Sequence, residues 1–255
     1  VAAARLGAQV QYWGRVGDDA VGHRITTELA DEGVDVRRVR RVPGCKSPSA
    51  AILVDPQGER LICAYNDPAL DRDPSWLPLA ELAQVDAALA DVRWMEGAAA
   101  VLDQARRGGK IAMLDADFGP IEALRDLVPR ATHVVFSAAG LGVLCGDSSP
   151  GAALRQVSSM ARGPVGVTLG ADGLLWREAG VEHQVKGIAV KAIDTLAAGD
   201  VWHAAFTIAL AEGRGARDAA CFANVAAAIK CEREGGRAGA PTRADVDSKM
   251  VKLFN

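Results

Sequence analysis

The residues best suited to chemistry lie in one segment, residues 193–206, where a predicted strand ends and a run of small residues leads into a helix. Small residues let the backbone approach a ligand closely, and a helix N-terminus offers unpaired N–H groups with a partial positive charge. Together these features predict a phosphate-binding turn over Ala197, Ala198 and Gly199. Asp200 stands at the mouth of that turn, where its charge would repel a bound phosphate.

The position of Asp200 makes chemical sense if its carboxylate faces an alcohol that attacks the phosphate. A carboxylate is ionised near neutral pH and can accept the hydroxyl proton as phosphoryl transfer proceeds. The alternative is structural, because an aspartate here can cap the helix while the small residues form an ordinary tight turn. The local residues leave both interpretations open.

Length and composition narrow the class of protein. The chain has 255 residues, enough for one large core or two modest domains, with 49% hydrophobic and 24% charged residues as in globular proteins. Aromatic residues make up only 5%, which predicts a core of small aliphatic side chains. The formal net charge of -3 argues against nucleic acid as a partner.

Cysteine and histidine usage argues against several kinds of site. The five cysteines are odd in number and none are spaced C-x-x-C, so neither a disulfide framework nor a zinc site is predicted, and a reducing cytoplasm fits best. The four histidines form no H-E-x-x-H pattern. No apolar run is long enough to span a bilayer and no signal peptide is visible, so no membrane partner is expected.

Short apolar runs alternate with helical stretches, which predicts a parallel sheet with helices on both faces and a ligand at the carboxyl ends of the strands. Residues 50–54 and 60–65 flank Asp55-Pro56-Gln57-Gly58, a turn sequence that predicts a hairpin projecting as a small lid. The other predicted strands cover residues 9–14, 87–92, 110–115, 133–137 and 166–169, and the predicted helices residues 19–32, 98–107, 121–128, 150–161, 200–212 and 216–230.

Residues 194–200, Asp-Thr-Leu-Ala-Ala-Gly-Asp, resemble the signature D-T-x-(G/A)-A-G-D of the ribokinase/PfkB family of carbohydrate kinases. The resemblance implies an α/β fold: a ribokinase-like three-layer α/β/α sandwich with a mainly parallel sheet and a small β lid. It implies ATP-dependent phosphorylation of a primary hydroxyl on a sugar or sugar-like molecule. Mg²⁺ is the expected cofactor, with K⁺ as a further candidate.

The same resemblance assigns roles to individual residues. Asp200 would be the catalytic base, and the N–H groups of Ala198, Gly199 and Asp200 would form the anion hole. Asp194 and Thr195 would hold the loop, with Asp194 also the candidate ligand of a monovalent cation. The nucleotide would be contacted by residues from three other segments: Thr168, Gly170, Gly173, Asn224 and Gly236. A polar helix cap or a surface residue explains Asn224 equally well.

Residues 14–22 resemble the family's early G-x-V-G-x-D segment, which borders the sugar pocket, and so imply Arg15 and Asp18 as substrate contacts. A strand-to-helix turn capped by Asp18 explains the same residues equally well. The family's amino end, which supplies a glycine-rich turn, a substrate-binding aspartate and half of the lid, has no counterpart here. We therefore expect one kinase domain over residues 1–255, with its lid hairpin at about residues 45–67 and its first strand outside this sequence.

One departure from the family concerns metal binding. The family's N-x-x-E, which organises Mg²⁺ and phosphate, is replaced by Ser-Ala-Ala-Gly at residues 137–140. Metal handling would then depend on water, the ATP phosphates and Asp115 or Asp117. This departure keeps open a catalytically weak sugar-binding homologue, although a binder has no need of a base at Asp200.

Within the family, the longest local matches are to the 6-deoxy-6-sulfofructose kinases, at residues 1–10, 14–19, 90–94 and 230–239. They imply that Arg93 holds the sulfonate, since a planar guanidinium suits an oxyanion with several acceptor oxygens. A structural ion pair is the alternative for Arg93. The family's lid asparagine falls at Ala64, so the sulfonate site is only partly kept, and fructose, ribose or another acidic sugar stays open as the acceptor.

Other classes are less well supported. Gly140-Leu141-Gly142 hints at a dinucleotide-binding turn but lacks the third glycine and a suitably placed acidic residue. No G-x-x-x-x-G-K-S/T segment exists, which excludes a P-loop kinase. A homodimer through the lid is expected, because open-edged lid strands pair between subunits in this family.

Overall fold

The computed structural model describes residues 1–54 and 60–254, so the predicted turn at residues 55–58 lies outside the described residues. Backbone contacts divide the chain into two compact units. Residues 1 and 9–77 form the smaller unit, and residues 2–8 and 78–255 the larger one.

The elements follow each other in this order along the described residues. The helices are α1 (Ala2–Arg5), α2 (Ala20–Asp31), α3 (Met95–Arg107), α4 (Ile121–Leu127), α5 (Ala138–Cys145), α6 (Pro150–Ser158), α7 (Ala198–Ala211), α8 (Ala216–Cys231) and α9 (Arg243–Phe254). The strands are β1 (Gly14–Gly17), β2 (Val39–Val42), β3 (Ser49–Val54), β4 (Arg60–Tyr65), β5 (Ala87–Ala90), β6 (Ile111–Ala116), β7 (His133–Ser137), β8 (Val165–Thr168), β9 (Leu174–Glu178) and β10 (Val181–Val185). Short 3₁₀ turns lie at Leu79–Gln84, Val128–Arg130, Gly170–Asp172 and Gly236–Gly239.

The larger unit is built on a six-stranded sheet in the order β10-β9-β8-β7-β6-β5. Strands β5 to β8 pair in parallel, while β9 and β10 are antiparallel additions at one edge. Helices cover both faces of this sheet, which confirms the predicted sandwich with a mainly parallel sheet. Parallel strands direct their carboxyl ends to the same edge. At that edge Asp91 follows β5 and Asp117 follows β6, while β7 and β8 end on Ser137 and Thr168.

Small side chains fill the core of the larger unit, as the composition predicts. Helices α7 and α8 pack closely because the contact is rich in alanine, and α8 also buries larger side chains, with Phe222 and Val225 both 0% exposed. The fully buried alanines of these two helices are Ala205, Ala209, Ala219, Ala220, Ala223 and Ala226.

The smaller unit holds the parallel pair β1–β2, helix α2 and the antiparallel hairpin β3–β4. The predicted strand at residues 9–14 is wrong, since Gln11 makes only an isolated bridge to Asp35 and the strand begins at Gly14. Glycine at position 17 lets β1 lie against a neighbouring segment, because a Cβ there would come within 2.3 Å of the Cys45 carbonyl oxygen. The hairpin pairs Ser49 with Tyr65 at its open end.

Several elements were not predicted: β2, β9, β10, α5 and α9. Helix α5 consists almost entirely of apolar and small residues, so it lacks the alternation of polar and apolar faces that indicates a helix. Within the described residues, no helix is both long and apolar enough to cross a membrane.

Candidate active site

The loop before α7 leaves the N-terminus of this helix open. Ala197 occupies the N-cap with a left-handed backbone, φ 63°, and its methyl group provides no capping bond. The N–H of Ala198 donates to the Thr195 carbonyl at 3.2 Å. Among the residues that the structure describes, none accepts a hydrogen bond from the N–H of Gly199 or Asp200. These two donors, with the helix dipole, can bind an anion.

The Asp200 carboxylate lies in the first turn of α7 and is exposed. Across the described part of the chain, no side chain or backbone group donates a hydrogen bond to it. A carboxylate in this state can accept a proton from a bound ligand, because it has no internal partner to lose. The structure thus separates Asp200 from a helix cap, which would direct its oxygens to the N–H groups of its own helix.

His203 lies one turn further along α7 and is only 2% exposed. Its Nδ1 lies 2.9 Å from the Gly199 carbonyl oxygen, and its Nε2 lies 3.1 Å from the Val135 carbonyl oxygen and 3.4 Å from Asp115 Oδ1. All three oxygens can accept a hydrogen bond from a protonated ring nitrogen. The ring thereby connects the open end of α7 to the central sheet.

Asp115, near the end of β6, is the largely buried partner of His203. Burial raises the pKa of Asp115 to about 6, against the lowering effect of His203. The negative charges of Asp200, Asp117 and Asp91 raise this pKa further. Four carboxylates therefore lie close enough to interact at the strand ends and the start of α7.

Asp117 connects the segment that replaces N-x-x-E to Arg93. Its Oδ1 accepts a hydrogen bond from the Ser137 hydroxyl at 2.7 Å, and its Oδ2 accepts one from Arg93 Nη2 at 3.3 Å. Ser137 also caps α5 by accepting from the N–H of Gly140 at 2.9 Å. A Cβ at position 140 would lie 2.1 Å from the Ala116 carbonyl oxygen, so only glycine lets α5 pack against the end of β6. The segment that replaces N-x-x-E therefore caps α5 and is hydrogen-bonded to Asp117, directly after β6.

The carboxylates do not form a ready metal cage. No group of three or more His, Cys, Asp or Glu side chains in the described residues is arranged to hold a metal ion. Mg²⁺ commonly keeps several waters and binds through one or two carboxylates together with nucleotide phosphates. Asp115 and Asp117 suit that mode, in which the nucleotide carries most of the coordination.

Asp194 anchors the other end of the loop. Its Oδ1 accepts from the N–H of Leu196 at 2.8 Å, and its Oδ2 accepts from the N–H of Gly236 at 2.9 Å and from Lys230 Nζ at 3.2 Å. The Gly236 N–H, with smaller effects of Leu196 and Lys230, lowers the pKa of Asp194 to about 2. The structure thus brings together Asp194 and Gly236, two residues that the sequence assigned to different roles.

The three predicted nucleotide contacts around β8, Thr168, Gly170 and Gly173, differ in their structural surroundings. The Thr168 hydroxyl donates weakly to the Phe136 carbonyl at 3.3 Å. Gly173 has φ 82°, and a Cβ there would lie 2.1 Å from the Val185 carbonyl oxygen, so packing alone requires glycine. Gly170 has φ 57°, but a Cβ there would point into open space, which leaves room for a ligand.

Asn224, a predicted nucleotide contact, is buried and hydrogen-bonded on both sides of its amide. It is 6% exposed, its Oδ1 accepts from Trp202 Nε1 at 2.7 Å, and its Nδ2 donates to the Lys186 carbonyl at 2.9 Å. It forms one wall of a cleft of about 450 Å³ between α8 and the segment after β10. The cleft is lined by Gln184, Val185, Lys186, Gly187, Ile188, Arg217, Cys221 and Asn224.

Arg15 and Asp18 belong to the smaller unit. The Arg15 guanidinium donates to the backbone carbonyls of Leu70 and Asp71, and the Asp18 side chain is exposed. The alternative of a helix capped by Asp18 is wrong, because the N-cap of α2 is Asp19.

Comparison with known proteins identifies the family. The profile of the pfkB family carbohydrate kinases matches residues 1–243. The chain belongs to this family. It is therefore a sugar kinase of the ribokinase/PfkB type that uses ATP, which confirms the predicted fold and enzyme class.

Three relatives show how far the similarity extends. The ribokinase of Haemophilus influenzae is 28% identical, over 96% of this chain and 82% of its own. A crystal structure from Agrobacterium tumefaciens, provisionally called a ribokinase, is 39% identical with a TM-score of 0.95 and covers 99% of this chain and 84% of its own. Arabidopsis thaliana ribokinase complexed with ribose and ATP shares the fold, with 24% identity, a TM-score of 0.87, and 99% and 85% coverage.

Two residues of the site, His203 and Lys230, were not assigned from the sequence. Each lies in a helix among buried apolar residues. A titratable side chain among apolar helix positions can be recognised in the sequence, and it indicates a buried polar contact. Their partners lie far away along the chain, so no spacing rule could identify them.

Proposed function

We propose that this kinase transfers the γ-phosphoryl group of ATP to a primary hydroxyl of a sugar, with Asp200 as the base. The observation that supports this most directly is an exposed carboxylate, without an internal partner among the described residues, beside two open N–H donors at the start of α7. The carboxylate can accept a proton while the two N–H groups bind the oxygens of the transferred phosphoryl group.

In the proposed step, the sugar hydroxyl gives its proton to the Asp200 carboxylate as its oxygen bonds to the γ-phosphorus. The bond from that phosphorus to the bridging oxygen breaks, and ADP leaves with the electron pair. The N–H groups of Gly199 and Asp200 stabilise charge on the phosphoryl oxygens, with Ala198 contributing less because its N–H is shared with Thr195. Mg²⁺ bound to the nucleotide would neutralise part of the phosphate charge.

The nucleotide is proposed to extend from α7 past Thr168 and Gly170 into the cleft beside Asn224. The support is the open space at Gly170 and the volume of the cleft, about 450 Å³. Asn224 would shape the cleft through its two buried hydrogen bonds, and Gly173 and Gly236 would fix the adjoining backbone.

For the acceptor, we propose a sugar with an anionic group, with 6-deoxy-6-sulfofructose going to its 1-phosphate as the first candidate. The Arg93 guanidinium is 61% exposed and its partner Asp117 is 47% exposed, so an anion can reach this cation from solvent. Arg15 and Asp18 are proposed as further sugar contacts. Ribose and fructose are the uncharged alternatives, and a catalytically weak sugar-binding homologue is the non-enzymatic one.

A homodimer through the hairpin β3–β4 is also proposed. Ile52, Leu53 and Tyr65 are 36%, 61% and 49% exposed, which is unfavourable for apolar side chains on a free hairpin. Mass measurement in solution tests this, with Leu53→Lys expected to give monomers and a protein that is already monomeric excluding the dimer.

ADP release with Mg·ATP tests the catalytic proposal, using sulfofructose, fructose, fructose 6-phosphate, ribose, 2-keto-3-deoxygluconate and adenosine as acceptors. Turnover with sulfofructose that is lost in Arg93→Met, but not in the surface control Arg107→Met, would support the anionic acceptor. Equal loss with an uncharged sugar would contradict a sulfonate role for Arg93. No ADP release with any of these acceptors, despite ATP binding, would favour the sugar-binding homologue.

A further inference from the structure

Lys230, near the end of α8, is a lysine with a fully buried side chain, 0% exposed. Its ammonium donates to the Asp194 carbonyl at 2.8 Å, to the Asp194 carboxylate at 3.2 Å and to the Arg233 carbonyl at 3.1 Å. An ammonium has three N–H donors, so this environment satisfies all of them. A buried charge costs several kcal/mol without such partners, which makes this arrangement a specific one.

The oxygens around Lys230 come from two segments that flank the active-site loop. Backbone bonds support the same junction, since the N–H groups of Ile193 and Asp194 donate to the Cys231 carbonyl at 2.7 and 3.2 Å. The Gly236 N–H completes it by donating to the Asp194 carboxylate at 2.9 Å. One positive charge therefore holds the start of the loop against the end of α8.

A carboxylate oxygen and two backbone carbonyl oxygens are also the kind of oxygen ligands that bind hard cations such as K⁺. Here the ammonium already occupies the position between them. A metal ion at Asp194 would need the same oxygens and would be repelled by the ammonium. The residues present therefore do not fit a monovalent metal ion at this position.

We propose that the Lys230 ammonium is a built-in cation that fixes the loop from Asp194 to Ala198 and thereby positions the N–H groups of Gly199 and Asp200. The kinase then requires no monovalent metal ion. Lys230 is a positioning residue, because it touches the loop and not the reacting atoms. This inference rests on the proposed function only where it concerns turnover; the cation requirement is a property of the loop itself.

The loop geometry shows how the effect would reach α7. The Asp194 carboxylate accepts from the Leu196 N–H, and the Thr195 carbonyl accepts from the Ala198 N–H, so consecutive turns link the buried charge to the N-cap Ala197. Loss of the charge would free this short chain of bonds. The donors of the anion site would then move relative to Asp200, and a misplacement of about 1 Å can lower the rate about 100-fold.

The first experiment measures melting temperature and ADP release of the unmodified kinase with choline, Na⁺ or K⁺ as the only monovalent cation, at constant ionic strength. The proposal expects less than about a twofold change in kcat, and no K⁺-specific rise in melting temperature. Activation of the unmodified kinase by K⁺ of about tenfold or more would overturn it. Melting temperature needs no turnover, so failure of this inference and failure of the proposed function can be told apart.

The second experiment uses Lys230→Ala, which removes the charge and leaves space for an ion. In choline, kcat should fall about 100-fold with little change in the KM of the sugar. K⁺ should restore part of kcat and raise the melting temperature. Lys249→Ala is the matched control, because Lys249 forms a surface ion pair with Glu232 at 2.7 Å near the same helix end.

A purely structural lysine would give a different pattern. Lys230→Ala would then lose stability in every salt, with no response specific to K⁺, and the proposal would be wrong. If this variant does not fold, Lys230→Gln retains donors without the charge and is compared in the same salts. If neither variant folds, the cation response of the unmodified kinase decides the outcome.

Discussion

Helices α2 and α7 each have a glycine and an aspartate close to the N-terminus, and they use that aspartate in opposite ways. At α2, Asp19 is the N-cap: its Oδ1 accepts from the Gly22 N–H at 2.8 Å and from the Ser47 hydroxyl at 2.6 Å, and its Oδ2 accepts from the Ser47 N–H at 3.0 Å. The Ser47 hydrogen bonds, with that of Gly22, lower the pKa of Asp19 to about 2. Both oxygens of the Asp19 carboxylate are therefore used in hydrogen bonds that stabilise the fold.

At α7 the cap is Ala197, which has no polar side chain, and Asp200 lies inside the first turn with no internal donor among the described residues. The N–H groups that Asp19 would satisfy at α2 stay open here. A capped helix end is therefore a structural joint, whereas the open end of α7, with the strand-end aspartates beside Asp200, is available to a ligand. The predictions below test this distinction.

The largest effect is expected for Asp200→Asn. Loss of the base should lower kcat by about 10²- to 10⁴-fold, with little change in melting temperature because Asp200 has no hydrogen bond to lose within the described part of the chain. ADP-release kinetics and thermal unfolding measure the two quantities. Asp218→Asn, which changes an exposed acid in the first turn of α8, is the matched control and should retain full kcat. Near-normal turnover of Asp200→Asn would make the base assignment wrong.

The next largest effect concerns what holds the open end of α7 in place of a cap. His203→Leu removes the partner of Asp115 and leaves a buried carboxylate alone, which should cost about 3–5 kcal/mol of unfolding free energy. Asp115→Leu should cost less in the His203→Leu background than in the unmodified chain, because there it removes the carboxylate that has already lost its partner. Urea unfolding of the single and double variants measures this coupling. Additive losses would show that the two side chains act independently.

The sequence located the candidate site but not the contacts that support it. The segment 194–200 is compact, so its residue types placed Asp200 at a helix start, and its resemblance to the family signature indicated the kinase fold. The same pattern could not show which aspartate caps a helix, because Asp19 depends on Ser47, a contact made only after folding. Lys230 and His203 depend on partners that are equally distant along the chain.

The fold shows the same limit. Strands β5 to β8 were predicted because buried parallel strands form short apolar runs, whereas β9 and β10 alternate with polar residues at the sheet edge and gave no clear signal. The start of α7 was predicted two residues late, at Asp200 instead of Ala198, because a left-handed alanine is not a usual helix cap. The two residues missed are Ala198 and Gly199, and the N–H of Gly199 is one of the open donors at the start of α7.

A smaller effect is expected when the capped aspartate is changed. Asp19→Asn should lower the melting temperature at pH 6, because the charge-assisted hydrogen bonds of the cap are weakened. A carboxyl whose pKa is lower in the folded chain adds stability above its ordinary value of 3.8 and loses it as the pH falls towards 2. The deficit of Asp19→Asn should therefore shrink between about pH 4 and pH 2. Urea unfolding across this range measures it, and a deficit that stays constant with pH would argue against the cap as its cause.

The smallest effect is expected for Ala197→Gly, which tests whether the open end is strained. The left-handed conformation at φ 63° costs about 1 kcal/mol for alanine and little for glycine. Glycine also gains freedom in the unfolded chain, which offsets about 0.4–1 kcal/mol of that relief. The net change in unfolding free energy should lie between zero and a small gain, with kcat retained because the open N–H groups belong to Gly199 and Asp200. Thermal unfolding measured beside the control Ala216→Gly, a change at the regular start of α8, should separate the two positions. If both substitutions destabilise equally, the left-handed turn is not a source of strain, and the open end of α7 is held at no local cost.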